Sequence, residues 1–246
     1  MDTKVVTLDS VFSSIQKGRL SKPPRIVLYG MEGIGKSSFA SRFPAPIFIQ
    51  TEDGLSQLDC ARFPLSKNEN DVVEKLDALA YGNHDFKTVV IDSLDWLERL
   101  IWDEVCSENK VENIEKIGFA RGYTYALTHW RKILEQLTTL RERGMIVLLL
   151  AHAIAEDYSD PEVAGLKRFT PRLHKTARSL IAEYVDAVFL ATRKFGAAKG
   201  DVNNPRIIRT DASPYQVAKS RYAIPSELPL DADAVLKAIK ESEAKQ

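Results

Sequence analysis

The sequence predicts an α/β fold, with a mainly parallel central sheet flanked by helices and completed by a C-terminal hairpin and helix. Two observations carry this prediction. Short apolar runs alternate along the chain with segments of helical periodicity, which is the pattern of a parallel sheet with crossover helices. The run at 87–92 (KTVVID) is apolar over most of its length, as expected for a strand buried on both faces.

The individual elements follow from these patterns in chain order. Strands are expected at the apolar runs 25–30, 46–50, 87–92, 144–152 and 186–193. A short helix is expected to end at Pro44, and longer helices where apolar residues recur every three or four positions, at 70–81, 93–106, 120–142, 171–184 and 231–246. Residues 153–170 have neither pattern and are interpreted as a loop, and 206–210 with 215–219 as the terminal hairpin.

Composition limits the class of protein. The chain has 246 residues, of which 44% are apolar and 28% charged, as is typical of a soluble globular protein. No linker divides it, so we interpret 1–246 as a single domain with an N-terminal extension at 1–22 and a polar tail at 240–246. Lys plus Arg and Asp plus Glu both number 34, so any surface that attracts nucleic acid must be local.

Cysteine usage and hydropathy suggest a compartment. The two cysteines, Cys60 and Cys106, cannot form a disulfide framework and lie in no zinc-binding pattern. No apolar run reaches the length needed to span a membrane, and the first ten residues lack the pattern of a signal peptide. We therefore expect a cytoplasmic protein that does not associate with a membrane.

A phosphate-binding loop is the strongest signal in the chain. The stretch GMEGIGKSS at 30–38 fits the pattern G-x-x-x-x-G-K-[ST] and lies between a predicted strand and a predicted helix. Its backbone N–H groups can cradle phosphate, Lys36 can reach the β- and γ-oxygens, and Ser37 can ligate Mg²⁺. The residues predicted to bind the nucleotide are Gly30, Gly33, Ile34, Gly35, Lys36, Ser37 and Ser38.

Acidic residues follow two of the predicted strands. Asp92 ends the strand at 87–92 and is interpreted as a second residue on the metal side, although an aspartate there can also cap the next helix. Glu52 and Asp53 come just after the second strand, where a carboxylate can position an attacking water. The alternative is that both are ordinary turn residues.

Two other classes of phosphate-loop protein are disfavoured. Switch GTPases read guanine with N-K-x-D after a strand, whereas the nearest match, NKVE at 109–112, follows a predicted helix in a polar stretch. Small-molecule kinases usually carry an arginine-rich lid, and none is evident. The remaining class hydrolyses ATP with Mg²⁺ and a carboxylate that orients water.

The run FIQTEDGL at 48–55 and the Asp-Ser pair at 92–93 resemble the core of the RecA recombinases. This resemblance implies that Glu52 is the catalytic glutamate and that His152 stands where the family has a glutamine that senses the γ-phosphate. The segment QVAKSRYAIP at 216–225 is similar to the one whose two basic residues reach the nucleotide of the next subunit, which are here Lys219 and Arg221. The alternative for that pair is an edge strand that carries charge against aggregation.

A basic segment follows His152 along the chain. Val163 to Ala182 contains no acidic residue, and such a stretch with an aromatic side chain is typical of single-stranded DNA binding. The residues predicted to contact DNA are Lys167, Arg168, Phe169, Arg172, Lys175 and Arg178. The alternative is a solvated helix face, which explains most runs of charge.

Longer stretches at 23–59, 89–102, 118–137 and 160–175 resemble phage-encoded AAA-type nucleotide-binding proteins, a group that includes compact RecA-like annealing recombinases. The resemblance implies an ATP- and Mg²⁺-dependent protein that binds single-stranded DNA and promotes annealing or strand exchange. Its expected partners are a phage single-strand-binding protein and further copies of this chain, in an oligomer or filament with ATP sites between subunits. The alternative is a nucleotide-dependent accessory module, such as a helicase loader or packaging factor, that binds a protein.

Overall fold

The computed structural model of the chain describes residues 12–15, 17–18, 20–159, 165–194 and 204–245. Most of the extension expected at 1–22 lies outside the described residues, as do the start of the basic segment at 163–164 and the last residue of the polar tail.

Strands and helices alternate along most of the described chain. The strands are β1 (Arg25–Gly30), β2 (Pro46–Gln50), β3 (Ala61–Arg62), β4 (Thr88–Asp92), β5 (Ile146–Tyr158), β6 (Leu166–Pro171), β7 (Ala187–Arg193), β8 (Arg206–Arg209), β9 (Lys219–Ser220) and β10 (Glu227–Pro229). The helices are α1 (Lys36–Ala40), α2 (Glu69–Tyr81), α3 (Leu94–Asn109), α4 (Arg121–Glu142), α5 (Lys175–Tyr184) and α6 (Ala232–Lys245), with a 3-10 turn at Ile114–Lys116.

The predicted α/β class is confirmed by the sheet. Its strands lie in the order β10-β8-β7-β1-β5-β4-β2-β3, and the neighbours from β7 to β3 are parallel. β5 therefore lies between the strand that precedes the phosphate loop and the strand that ends in Asp92. Gly30 aligns with His152, and Asp92 with Gln50, so the carboxyl ends of β1, β4 and β2 meet at one edge.

Helices cover both faces of the sheet. The side chains of β1 alternate between them: Val27 and Tyr29 pack with α2 to α5, whereas Ile26 and Leu28 pack with α1 and α6. All four are at most 1% exposed, which explains why this strand is apolar throughout. No helix among the described residues combines the length and the apolar character needed to cross a membrane.

Residues 153–170 are not the predicted loop. β5 continues past His152 to Tyr158, and β6 returns antiparallel to it, with Ile154 opposite Thr170 and Tyr158 opposite Leu166. This part of β5 has left the central sheet, so its side chains are no longer buried on both faces and the apolar signal ends. The basic segment thus begins at this antiparallel pair of β5 and β6, which we call the hairpin; residues 160–164, between the two strands, lie outside the described residues.

The C-terminal strands also pair differently from the prediction. β8 pairs antiparallel with β7 and β10, not with residues 215–219. β9 pairs antiparallel with the beginning of β7, where Val188 faces Lys219. The antiparallel pair at the end of the chain is therefore β8 with β10, and α6 follows it directly.

Candidate functional site

The phosphate loop lies at the carboxyl end of β1, where its glycines adopt conformations that other residues rarely reach. Gly33 and Gly35 have φ values of 71° and 104°. Gly30 is restricted differently, because a Cβ there would lie 2.6 Å from the carbonyl oxygen of Ala191. Ile34 is 7% exposed and anchors the loop in the core. The local backbone therefore accounts for the glycine spacing that the sequence displays.

Lys36 is a buried cation that forms no ion pair with any residue in the described part of the chain. Its side chain is buried, and Nζ donates to the carbonyl oxygens of Gly30 and Met31 at 3.1 and 3.3 Å. Burial lowers the pKa of Lys36, and the nearby carboxylates only partly offset that effect. An ammonium group that donates to two carbonyl oxygens is still without a counter-charge, and a phosphate oxygen can supply one.

Ser37 and Asp92 bring two oxygen ligands together. The Ser37 hydroxyl donates to Oδ2 of Asp92 at 2.6 Å. Burial raises the pKa of Asp92, and the hydrogen bond from Ser37 only partly offsets it. α3 begins at Leu94 with Ser93 as its N-cap residue, so Asp92 does not take the capping position.

A hydroxyl and a carboxylate are ligands that suit Mg²⁺, which is usually held by one or two protein oxygens together with phosphates and water. Within the described ranges, no group of three His, Cys, Asp or Glu side chains is arranged to hold a metal alone. A magnesium ion at Ser37 and Asp92 would therefore depend on the nucleotide for further ligands.

The structure distinguishes between the two acids that follow β2. Glu52 lines the same cavity as Lys36 and Asp92, whereas Asp53 is exposed and does not. The Ser93 hydroxyl donates to Oε2 of Glu52 at 3.2 Å, and the N–H of Thr51 donates to the Asp92 carbonyl at 2.8 Å. The turn is thus tied to the end of β4, and it presents Glu52 beside the predicted metal ligand.

His152 is held by a buried aspartate that the sequence did not single out. Oδ1 of Asp95 accepts the backbone N–H of His152 at 3.0 Å, and ring atom Nδ1 of His152 lies 3.0 Å from Oδ2. Nδ1 also lies 3.8 Å from Oε2 of Glu52. Because Asp95 is ionised, Nδ1 carries a proton, which leaves Nε2 as the ring nitrogen available to a ligand.

Asp95 also binds Arg172, which follows β6. Nη2 of Arg172 donates to Oδ2 of Asp95 at 2.7 Å, and its Nη1 lies 3.6 Å from a carboxylate oxygen of Glu32 in the phosphate loop. Burial alone would raise the pKa of Asp95, but the hydrogen bonds from His152 and Arg172 outweigh it and hold that pKa well below its ordinary value. One carboxylate therefore joins the cavity to the base of the hairpin.

Asp95→Asn is expected to lower the free energy of unfolding by about 1–3 kcal/mol, because the new amide group would face donors where the carboxylate accepted from them. Asp103→Asn is the matched control, since Asp103 is exposed on the same helix, and it is expected to change stability by less than about 0.5 kcal/mol. Urea unfolding of both variants makes the comparison. Equal stabilities for the two would contradict the role given to Asp95.

A cavity of about 550 Å³ brings most of the predicted nucleotide and catalytic residues together. Those that line it are Gly33, Gly35, Lys36, Ser37, Ser38, Glu52, Asp92 and His152. Five further residues line it that the sequence patterns did not single out, Glu32, Gly54, Gln57, Leu58 and Arg206. No local pattern could have indicated Arg206, because it comes from a strand far along the chain.

The six residues predicted to contact DNA divide into two groups. Lys167, Phe169 and Lys175 are exposed. The three arginines have partners within the chain: besides the Arg172 contacts, Arg168 stacks on the ring of Tyr158 at 4.6 Å, and Nη1 of Arg178 lies 2.9 Å from Oε2 of Glu156. The hairpin therefore presents fewer unpaired cations than the sequence suggested.

Lys219 and Arg221 lie away from the cavity. β9 pairs with the beginning of β7, at the opposite end of the sheet from the phosphate loop. Nζ of Lys219 donates to the Ala182 carbonyl at 2.6 Å, and Nη1 of Arg221 donates to a carboxylate oxygen of Asp186 at 3.0 Å. Neither residue lines the cavity of its own chain.

Comparison with known proteins gives one family match and one relative. The sequence model of an AAA domain family matches residues 22–222. The SPbeta prophage-derived protein YorG of Bacillus subtilis (strain 168), described as uncharacterized, is 27% identical to this chain over 139 residues. That alignment covers 54% of this chain and 41% of YorG, so the chain spans less than half of that protein. The range matched by the family contains the phosphate loop, Glu52, Asp92 and His152.

Proposed function

The chain belongs to the AAA domain family that it matches and is an AAA-type ATPase domain, and from this premise we propose that it hydrolyses ATP and binds single-stranded DNA. We further propose that it promotes annealing or strand exchange in phage recombination. The observation that carries the proposal is the chain of contacts from Glu52 and His152 through Asp95 to Arg172. It connects the reacting end of the cavity to the basic hairpin.

The chemistry assigned to the cavity is hydrolysis of the γ-phosphate. Lys36 would neutralise charge on the β- and γ-oxygens, and Glu52 would orient and deprotonate the attacking water. With a proton on both ring nitrogens, His152 would donate from Nε2 to the γ-phosphate while Asp95 accepts from Nδ1 and fixes the ring. Mg²⁺ bound at Ser37 and Asp92 would supply charge neutralisation of the phosphates.

DNA binding is assigned to the exposed face of the β5–β6 hairpin and the start of α5. Ala155 pairs with Phe169 and Asp157 with Lys167, so Phe169 and Lys167 project from the same face of the hairpin. Phe169 is 38% exposed and can stack on a base, while Lys167 and Lys175 can contact phosphates. The restraint of Arg172 by Asp95 would make the hairpin's position sensitive to the nucleotide.

An assembly is part of the same proposal. Lys219 and Arg221 lie at the end of the sheet opposite the phosphate loop, so they could reach a nucleotide only in a neighbouring subunit. The proposed form is a homo-oligomer or filament with ATP sites between subunits, acting in the cytoplasm of a bacterial host with a phage single-strand-binding protein. The likeness to a prophage-derived protein supports the phage context.

The double variant Lys167→Ala/Phe169→Ala tests the DNA surface. We expect its affinity for a single-stranded oligonucleotide to fall by about tenfold or more, because stacking of one base is worth about 1–3 kcal/mol. The slope of log affinity against log salt should flatten by about 0.7 for the lost phosphate contact. Fluorescence anisotropy at several salt concentrations measures both quantities.

The matched control for this surface is Lys237→Ala/Tyr81→Ala. These side chains are highly exposed and lie on α6 and α2, away from the hairpin. If the two double variants bind DNA equally well, the hairpin is not the DNA surface. If the wild-type protein binds no oligonucleotide at low salt, the proposal that it binds DNA is wrong.

A second candidate is a nucleotide-dependent accessory module, such as a helicase loader or packaging factor, that binds a protein. The observation that favours it is Phe119, which is 96% exposed between the 3-10 turn and α4 and has a φ of 59°. The exposed ring offers an apolar contact that a protein partner could cover. ATP-dependent capture of a replicative helicase, lost in Phe119→Ala and without DNA affinity, would favour this function over the first.

A further inference from the structure

Arg206, a basic residue outside the phosphate-loop motif, reaches the cavity from the side of β1 on which β7 and β8 lie. Arg206 begins β8, where it pairs with Arg193 at the end of β7. β7 runs parallel to β1, with Ala191 beside Gly30, so the end of β7 lies at the same edge of the sheet as the phosphate loop. The antiparallel pairing of β8 with β7 thus brings Arg206 to the cavity wall.

The guanidinium of Arg206 lies against the loop itself. A Cβ added to Gly35 would be 2.8 Å from Nη1 and 3.7 Å from Cζ of Arg206, and 3.8 Å from a methyl group of Leu230. Gly35 has a φ of 104° and precedes Lys36. The guanidinium of Arg206 therefore occupies the space beside Gly35 that a side chain would fill, next to the backbone that the motif assigns to phosphate.

This guanidinium has no counter-charge within the part of the chain that the structure describes, where it makes no ion pair and no side-chain hydrogen bond. The other arginine near the cavity, Arg172, pairs with Asp95. Lys36 also lacks an adjacent carboxylate that contacts its ammonium group. Two cations facing one cavity from different sides favour a ligand with several negative oxygens.

The order of the strands indicates which part of a nucleotide Arg206 would meet. Glu52 follows β2, Asp92 ends β4 and His152 lies within β5. These three strands are on one side of β1, whereas β7 and β8 lie on the other side. The reacting phosphate belongs beside those three residues. Arg206 is therefore on the side of the phosphates that remain on the product.

We propose that Arg206 binds the phosphates that a nucleoside triphosphate and its diphosphate product share, by donating from its planar guanidinium opposite Lys36. This inference rests on the proposed nucleotide binding and adds a residue from β8 to the site. It implies that Arg206 supports ADP and ATP equally, and that it leaves the nucleoside portion untouched.

Isothermal titration with ADP, a non-hydrolysable ATP analogue and adenosine, each with Mg²⁺, tests the assignment. Arg206→Ala should weaken the binding of ADP and the ATP analogue by about tenfold through loss of a charge-assisted hydrogen bond, without changing adenosine binding. Arg206→Lys should recover part of the loss, because it keeps the charge. Arg209→Ala is the matched control on the same strand, since Arg209 does not line the cavity, and it should match wild type.

The same titrations on Lys36→Ala distinguish an error in the role of Arg206 from an error in the nucleotide site. If Arg206→Ala binds ADP as tightly as wild type while Lys36→Ala binds it weakly, the role of Arg206 is wrong and the nucleotide site stands. If Arg206→Ala weakens adenosine binding as much as ADP binding, Arg206 contacts the nucleoside and its assignment to the phosphates is wrong. If neither variant changes binding of any ligand, the proposed site fails together with this inference.

Discussion

Lys36→Ala is expected to weaken ATP binding by about a hundredfold and to leave ATP hydrolysis undetectable. The expected loss is that of a charged group bonded directly to phosphate in a buried site, which is typically worth about 2–5 kcal/mol. The variant should not be less stable than wild type, because the ammonium group is buried and contacts only carbonyl oxygens. Titration calorimetry and thermal unfolding measure the two effects separately.

Lys75→Ala is the control for this substitution. Lys75 is also a partly buried lysine that donates to a carbonyl oxygen, that of Pro64 at 2.8 Å, but it lies on α2 outside the cavity. ATP affinity in this variant should equal that of wild type. Equal ATP affinities for wild type and both lysine variants would mean that the cavity does not hold the nucleotide.

Glu52→Gln is expected to reduce the rate of ATP hydrolysis by at least about a hundredfold, the usual contribution of a general base. Its affinity for ATP should stay within about twofold of wild type, because the amide retains the size of the carboxylate and the phosphate contacts are made elsewhere. The hydroxyl of Ser93 can still donate to the amide oxygen. Steady-state hydrolysis and equilibrium binding of ATP give the two values.

The control is Asp53→Asn, which changes the adjacent acid. Asp53 is exposed and does not line the cavity, so its variant should hydrolyse ATP at the wild-type rate. If Asp53→Asn lost activity and Glu52→Gln kept it, the two acids would have to exchange roles. If both stayed active, neither would be the base.

The parts of the fold that the sequence predicted best are those buried on both faces. The strands at 25–30 and 46–50 have the predicted bounds, because each position inside the sheet excludes water and therefore favours an apolar residue. β5 was predicted only to His152, since the remainder pairs with β6 beyond the central sheet and carries polar residues. The apolar pattern of the sequence therefore indicates which strand residues are buried, and it does not indicate how far a strand continues.

The candidate site was predictable where its residues are local in sequence. The phosphate loop could be identified from its motif, and Glu52 and Asp92 from the ends of apolar runs. His152 was found in the same way, because the apolar run of β5 ends there although the strand continues. Asp95 could not, because an aspartate in the first turn of a helix is ordinary, and only the neighbouring strand gives it His152 and Arg172 as partners. The position of Arg206 depends on the pairing of β8 with β7, which no local pattern specifies.

ATP hydrolysis in this cavity is proposed to be coupled to the binding of single-stranded DNA on the hairpin. The most direct test of this coupling is steady-state ATP hydrolysis by the wild-type protein with Mg²⁺ at low salt, with and without a single-stranded oligonucleotide, beside Glu52→Gln. We predict that the oligonucleotide raises the wild-type turnover and that Glu52→Gln stays inactive in both conditions. A wild-type rate that is the same with and without the oligonucleotide would contradict the coupling.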